Sequence, residues 1–252
     1  GLSGVDTPLG TIRIGNAGQF RDVDLSGVET MQDLRNRVDE LGLGVRVEIA
    51  DAGDRIQFRN ELSGGAMSIS EVGGGSTATQ LGVRSFSGAT RLEDFNDGRG
   101  VEILSGGIDP LSGLADPDRD VDFTIGLHDG RSFDVDLVGA EDVDDVMNAI
   151  DAAATAAGIA IPGDFDVSLA ADGNGLVLTD GTAGGDPLAV TARNNSSAAA
   201  DLGIRQSTTS ASIAGEDRAT VAVDGVFAHL IALRDALMSD DESGIAFATG
   251  NL

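Results

Sequence analysis

The stretch RDVDLSGVETMQDL, residues 21–34, recurs in a similar form as FDVDLVGAEDVDDV, residues 133–146. In both copies two Asp residues alternate with Val and Leu, which is the period-two pattern of a strand with one buried and one solvated face. A glycine turn follows, and Thr30 or Asp142 then stands where a helix needs its N-cap. The stretch therefore predicts a strand, a turn and a helix, and the chain contains this combination twice.

The residues around the first copy extend it to a larger unit. Ile12 and Ile14 alternate with polar residues before the turn GNAG, which predicts a hairpin over residues 11–25. Thr30 begins a helix that Gly42 ends. The apolar face of this helix comprises Met31, Leu34, Val38 and Leu41. Three strands and a short closing helix are predicted at residues 45–50, 55–60, 67–72 and 77–83.

The residues around the second copy follow the same order. A hairpin is predicted over residues 122–137, and DLGIR at residues 201–205 matches QLGVR at residues 80–84. An insertion is predicted in ATAAGIAIPG, residues 154–163. Three strands are predicted from FDVSLAA, LVLTD and LAVTAR. The apolar helix face comprises Val143, Val146, Met147, Ile150 and Ala154.

These patterns predict an α+β fold with two small, repeated β-β-α-β-β-type units and a C-terminal helix. The parts are an N-terminal connector, the first unit, a Gly/Asp-rich connector, the second unit and a return segment that begins the helix. Their predicted boundaries are residues 1–10, 11–85, 86–121, 122–206 and 207–252. The connector contains one predicted strand, at residues 101–104. Because each unit is small, we expect the two to pack together or on neighbouring chains.

The composition excludes several classes of function. The chain has 252 residues and a net charge of −26, and its 16 basic residues are all Arg. The electrostatic field of so negative a chain repels nucleic acid and anionic lipid, so neither is an expected partner. The absence of Cys excludes disulfides, thiolate metal sites and cysteine nucleophiles, and the absence of Lys excludes Schiff-base chemistry. No stretch approaches the ~20 apolar residues of a membrane helix, and residues 1–20 lack a signal-peptide pattern.

No residue pattern indicates an enzyme, a cofactor site or a metal site. The repeated Asp pair could hold a metal, but the alternation favours a strand with Asp facing water. The loop DPDRDVD, residues 116–122, resembles a calcium loop but lacks its Gly and its final Glu. His128 and His229 have no neighbouring ligands in the sequence, and no serine-hydrolase elbow or nucleotide fingerprint occurs. We therefore predict no catalytic, cofactor-binding or metal-binding residues.

The C-terminal tail has a different pattern. Apolar residues recur there every three or four positions, which predicts a helix that buries one face. The predicted packing face comprises Val223, Phe227, Leu230, Ile231, Leu233 and Leu237.

Taken together, these motifs resemble the flagellin insertion motif in the outer domains of flagellar axial proteins. The features that carry the resemblance are the DVDL strand with its helix, the pair LAADGNGLVLTD, and the closing QLGVR or DLGIR. The connector TRLEDFNDGRGV is similar to a phrase that precedes such units, with Phe95 where Leu is usual. The tail VFAHLIALRDALMSDDESGI resembles the returning core helix, and is most similar to that of FlgL-type hook-associated proteins.

The resemblance implies a structural subunit of the bacterial flagellum at the hook–filament junction, extracellular and exported by the flagellar secretion system. The implied partners are the neighbouring junction protein, flagellin, further copies in a ring joined through terminal helices, and an export chaperone. On this interpretation the chain is the exposed middle region of a longer protein. Two alternatives remain: the outer domains of a flagellin filament subunit, and a surface adhesin or glycan-binding module.

Overall fold

The computed structural model describes residues 8–50, 55–62, 65–219, 221–222, 233–234, 236–238, 245 and 249. Its contacts divide the chain into two compact units. The first comprises Gly1–Phe86, Ala171–Asn174 and Thr220–Leu252, and the second comprises Ser87–Ala170 and Gly175–Ala219. Short helices and small antiparallel sheets make up both units, so the predicted α+β class is confirmed.

The first unit begins with a hairpin and alternates strands with helices. Its elements are β1 (Thr11–Asn16), β2 (Gln19–Asp24), α1 (Met31–Asp39), β3 (Val45–Ile49), β4 (Ile56–Asn60), β5 (Ala66–Glu71) and α2 (Thr77–Gln80). β1 pairs with both β2 and β5, and β3 pairs with β4 in a separate two-stranded sheet.

The second unit contains the longest described helix. Its first elements are α3 (Phe95–Gly98), β6 (Phe123–Gly126), β7 (Ser132–Val135), α4 (Val143–Ala156), β8 (Phe165–Leu169), β9 (Leu176–Asp180) and β10 (Leu188–Ala192). They are followed by α5 (Ala198–Asp201), β11 (Ser207–Thr208) and β12 (Ser212–Ala214). The sheets have the orders β11-β10-β6-β7 and β12-β9-β8. A final strand, β13 (Val221–Ala222), pairs with β5 and belongs to the first unit.

Each unit has a hydrophobic core built from the inward positions of its strands and helix. In the first unit, Ile12, Ile14 and Leu25 are fully or almost fully buried with Leu34 of α1. In the second, Phe133 and Phe165 meet edge to face, with ring centroids 5.3 Å apart. Of the face predicted for the first helix, Leu34 and Val38 are buried, and Met31 and Leu41 pack against the core partly buried. On α4 the buried residues are Val143, Val146, Ile150 and Ala154.

The predicted N-caps are also confirmed. Thr30 Oγ1 accepts a hydrogen bond from the Asp33 amide at 3.2 Å, and Asp33 Oδ2 accepts one from the Thr30 amide at 2.9 Å. In the second unit Asp142 Oδ1 accepts from the Asp145 amide at 3.0 Å. These bonds satisfy amides that a helix leaves without an internal partner, and therefore fix where each helix begins.

Replacing Thr30 by alanine is expected to destabilise the first unit by about 1 kcal/mol, because the cap bond to the Asp33 amide is lost. Urea unfolding of the parent and of Thr30→Ala measures the difference. Thr30→Ser, which keeps the hydroxyl, is the matched control and should stay close to the parent. Equal losses in both variants would contradict a capping role.

The strand predicted at residues 101–104 is absent, which corrects the prediction for the connector. The backbone amides that a strand would donate to a neighbour instead donate to carboxylates of the second unit. The Glu102 amide donates to Asp201 Oδ2 at 3.1 Å, and the Leu104 amide donates to Asp122 Oδ1 at 3.0 Å. Side-chain carboxylates, and not a neighbouring strand, therefore accept the hydrogen bonds of these two amides.

Candidate functional site

The repeated Asp pair faces outward, as the alternation predicts. Asp22 and Asp24 are exposed, whereas Val23 and Leu25 are buried. Asp22 forms a bidentate ion pair with Arg13 across β1 and β2, with distances of 2.7 and 3.0 Å. This pairing holds the pKa of Asp22 below its ordinary value. The first carboxylate of the motif therefore links two strands.

The second Asp of the motif starts the turn that leads into the helix. Asp24 Oδ1 accepts a hydrogen bond from the Ser26 amide at 2.9 Å, and Asp136 Oδ1 accepts one from the Val138 amide at 2.8 Å. A carboxylate that bonds the amide two residues ahead mimics a backbone turn. The bonds from Ser26 also lower the pKa of Asp24. In both copies this Asp therefore has a local structural role.

The acidic loops provide no metal site in the part of the chain that the structure describes. No group of three or more His, Asp or Glu side chains there is arranged to hold a metal ion. In the loop of residues 116–122, Asp116 pairs with Arg119 at 3.2 Å, and Asp120 Oδ1 accepts from the Gly107 amide at 2.7 Å. These carboxylates bond within the loop and its neighbour instead of converging on one point.

Asp122 is a buried carboxylate that the sequence patterns did not identify. It has no solvent exposure, and its oxygens accept hydrogen bonds from the Leu104 amide, the Leu137 amide and the Ser196 hydroxyl at 3.0, 3.0 and 2.7 Å. Its burial raises the pKa of the carboxyl, although the three donors oppose that shift. Asp122 therefore joins the connector, the end of the hairpin and the segment before α5.

His128 and Asp180 form a second buried polar contact. The imidazole Nδ1 lies against Asp180 Oδ2, which also accepts from the His128 amide at 2.6 Å. Asp180 Oδ1 accepts from the Thr182 amide and hydroxyl at 2.8 and 2.6 Å. Burial alone would raise the pKa of Asp180, but the bonds from Thr182 and His128 outweigh it and lower the pKa. The bond to Asp180 raises the pKa of His128.

A His–Asp contact also occurs in hydrolase triads, but its surroundings here differ. In a triad the second ring nitrogen faces a nucleophilic hydroxyl. In this chain His128 Nε2 faces the backbone carbonyl oxygen of Thr209 at 3.4 Å. A carbonyl has no proton to give, so the contact suits a protonated imidazole that links two loops. His229 lies outside the described residues.

The predicted packing face of the tail falls mostly outside the described residues. Four of its members lie there: Val223, Phe227, Leu230 and Ile231. Leu233 is half-buried and Leu237 is 59% exposed, and both are helical. The packing face therefore stays a prediction.

Comparisons with protein-family models, with curated proteins and with solved structures found no match. Among the residues that the structure describes, no helix is long and apolar enough to cross a membrane.

Proposed function

We propose that this chain forms the solvent-exposed middle domains of a hook–filament junction protein of the bacterial flagellum. The observation that carries the proposal is the acidic strand–turn–helix motif, which occurs at residues 21–34 and again at residues 133–146. The same order of elements follows each copy. The proposal includes an extracellular location and export through the flagellar secretion system. Its partners would be the adjoining junction protein, flagellin and further copies of the chain.

The proposal treats the two units as copies of one building unit. In support, both units have the same order of elements: two strands, a helix, three strands and a short helix. In the first unit these are β1, β2, α1, β3, β4, β5 and α2, and in the second they are β6, β7, α4, β8, β9, β10 and α5. The strand order within the sheets is also the same. β1 lies between β5 and β2 in the first unit, and β6 lies between β10 and β7 in the second. A repeated outer unit fits an axial protein, whose middle region faces solvent and needs no site of its own.

The chemistry of the polar residues favours a structural role over a catalytic one. Asp24 and Asp136 shape turns, Asp122 joins three segments, and His128 faces a carbonyl instead of a hydroxyl. The net charge of −26 suits a domain that must stay soluble at high local density. The alternatives from the same residues are a flagellin filament subunit and a surface adhesin or glycan-binding module.

Immunogold electron microscopy of the source bacterium tests the proposal. Antibodies raised against this chain should label a narrow band between the hook and the filament. Label along the whole filament would support the flagellin alternative, and label on the cell body would support the adhesin. A strain in which the gene is deleted is the control, and it should lose the label and carry hooks without filaments.

A further inference from the structure

In the part of the chain that the structure describes, strand β4 of the first unit is paired along one edge, and its other edge is open. The Ala50 amide donates to the Arg55 carbonyl at 3.0 Å, and the Glu61 amide donates to the Gly44 carbonyl at 2.8 Å. In an antiparallel pair, hydrogen-bonded and non-hydrogen-bonded residues alternate along each strand. Because residues 55 and 61 bond toward β3, the amides and carbonyls of residues 56, 58 and 60 point away from it. Among the described residues, β3 is the only strand that pairs with β4. The outer edge of β4 is therefore a row of backbone donors and acceptors.

In the second unit, the comparable strand edge is paired with a further strand. Strand β9 occupies the corresponding position, and its outer edge is covered by β12. The Asp180 amide donates to the Ala211 carbonyl and the Gly215 amide donates to the Leu176 carbonyl, both at 2.8 Å. Ile213, in the middle of β12, is opposite Leu178 and almost fully buried. An edge of this kind is thus completed by a short strand with an apolar central residue.

We propose that the open edge of β4 binds β4 of a second copy of this chain. The two strands run antiparallel, with Phe58 of one copy opposite Phe58 of the other. Ile56 then lies opposite Asn60 of the second copy, so all the outward backbone groups of residues 56, 58 and 60 are paired. A two-fold contact of this kind uses the same patch on both molecules, and it joins two two-stranded sheets into one.

The charges of the strand select this register. With Phe58 at the centre, Arg55 lies opposite Glu61 of the second copy, and Gln57 lies opposite Arg59. Arg55, Arg59 and Glu61 are exposed, and they occupy positions where side chains across a pair approach closely. A shift of the centre to residue 57 would put Arg55 opposite Arg59, and a shift to residue 59 would put Arg59 opposite itself. Of these three registers, only the one centred on Phe58 places opposite charges across the pair, and it is also the one that pairs all the outward backbone groups of residues 56, 58 and 60.

The rest of the molecule limits the strength of this contact. A net charge of −26 on each chain opposes association over long distances. At physiological ionic strength the Debye length is about 8 Å, so distant repulsion is screened more than a pair of side chains in contact. We therefore expect a reversible dimer that forms at high chain concentration. The inference does not depend on the proposed flagellar role.

Sedimentation equilibrium of the full chain measures the dimer affinity, and variants that reverse the charges of Arg55 and Glu61 test the contact. Arg55→Glu places Glu opposite Glu at two symmetric positions, and it should weaken the dimer at least about tenfold, given that like charges directly opposite each other destabilise strand pairs. Glu61→Arg should weaken it similarly, although it also removes an ion pair with Arg46 at 3.4 Å within the chain. The double variant should recover most of the parent affinity. Arg205→Glu, an exposed position in the second unit with the same charge change, is the matched control and should leave the affinity unchanged.

Three results of the association experiments, and one of hydrogen exchange, would overturn the inference. The first is a parent chain that stays monomeric at millimolar concentration. The second is a dimer that Arg55→Glu and Arg205→Glu weaken equally, and the third is a double variant that does not recover. Amide hydrogen exchange separates a remaining explanation: slow exchange at Ile56 and Phe58 in a monomer would mean that another segment of the same chain covers the edge, which also contradicts the proposal.

Discussion

Replacing Asp122 by alanine is expected to destabilise the second unit by about 3 to 5 kcal/mol, because two buried donors and one partly buried donor lose their acceptor at ~1–3 kcal/mol each. The donors are the Leu104 amide, the Leu137 amide and the Ser196 hydroxyl. Asp122 has no solvent exposure, so water cannot easily take over these bonds. A loss of this size is a large part of the ~5–15 kcal/mol that stabilises a typical domain.

Chemical unfolding followed by circular dichroism measures this loss. Asp122→Asn should fall between the parent and Asp122→Ala, because its amide keeps one acceptor but turns a second donor toward an existing N–H. Asp118→Ala in the same loop is the matched control, since Asp118 is exposed, and it should change stability little. A loss below about 0.5 kcal/mol for Asp122→Ala, within the usual range of a surface substitution, would show that the three donors find other acceptors.

Much of the local structure follows from short patterns in the sequence. The hairpin β1–β2 turns at Ala17 and Gly18, whose φ values of 48° and 77° fit the turn that joins closely paired strands. The caps at Thr30 and Asp142 could be predicted because a cap depends on residues at most three positions apart. The same is true of the turns at Asp24 and Asp136.

Some buried polar residues also leave a signal in the sequence. Asp180 is in phase with Leu176 and Leu178, so the period of two places it on the inner face of β9. Glu71 is likewise in phase with Met67 and Ile69, and its carboxylate accepts from two amides at the start of α2. A polar residue in phase with buried aliphatic residues therefore indicates a carboxylate or amide with an internal partner.

Asp122 leaves no such signal. It precedes Phe123 and is out of phase with the inward residues of β6, so the alternation places it on the solvated face. Its burial depends on three segments far from it in sequence, at residues 104, 137 and 196. The absence of a strand at residues 101–104 has the same cause. Contacts set by the packing of distant segments cannot be derived from the pattern of one segment.

The His128–Asp180 contact should make the stability of the second unit depend on pH. Because the folded state raises the pKa of His128 above its ordinary value of 6.5, the contribution of this group is complete below about pH 6.5. It is lost as pH rises through the folded pKa. Asp180 has a lowered pKa, so its contribution is present above its ordinary value of 3.8 and is lost as pH falls through the folded pKa. The contact is therefore strongest between these limits.

Asp180→Asn should remove the pH dependence on the alkaline side and cost about 2 kcal/mol near neutral pH, in line with hydrogen bonds to a charged group. Proton NMR of the His128 ring should show its pKa falling back toward 6.5, because the group that raises it has lost its charge.

Asp122 and Asp151, whose pKa values burial raises, titrate alike in the parent and the variant, so the difference between the two curves isolates the contact. Asp129→Asn, which neutralises the neighbouring loop carboxylate without touching the ring, is the control. A His128 pKa that stays raised in Asp180→Asn would mean that the Thr209 carbonyl, and not the carboxylate, holds the proton on the imidazole.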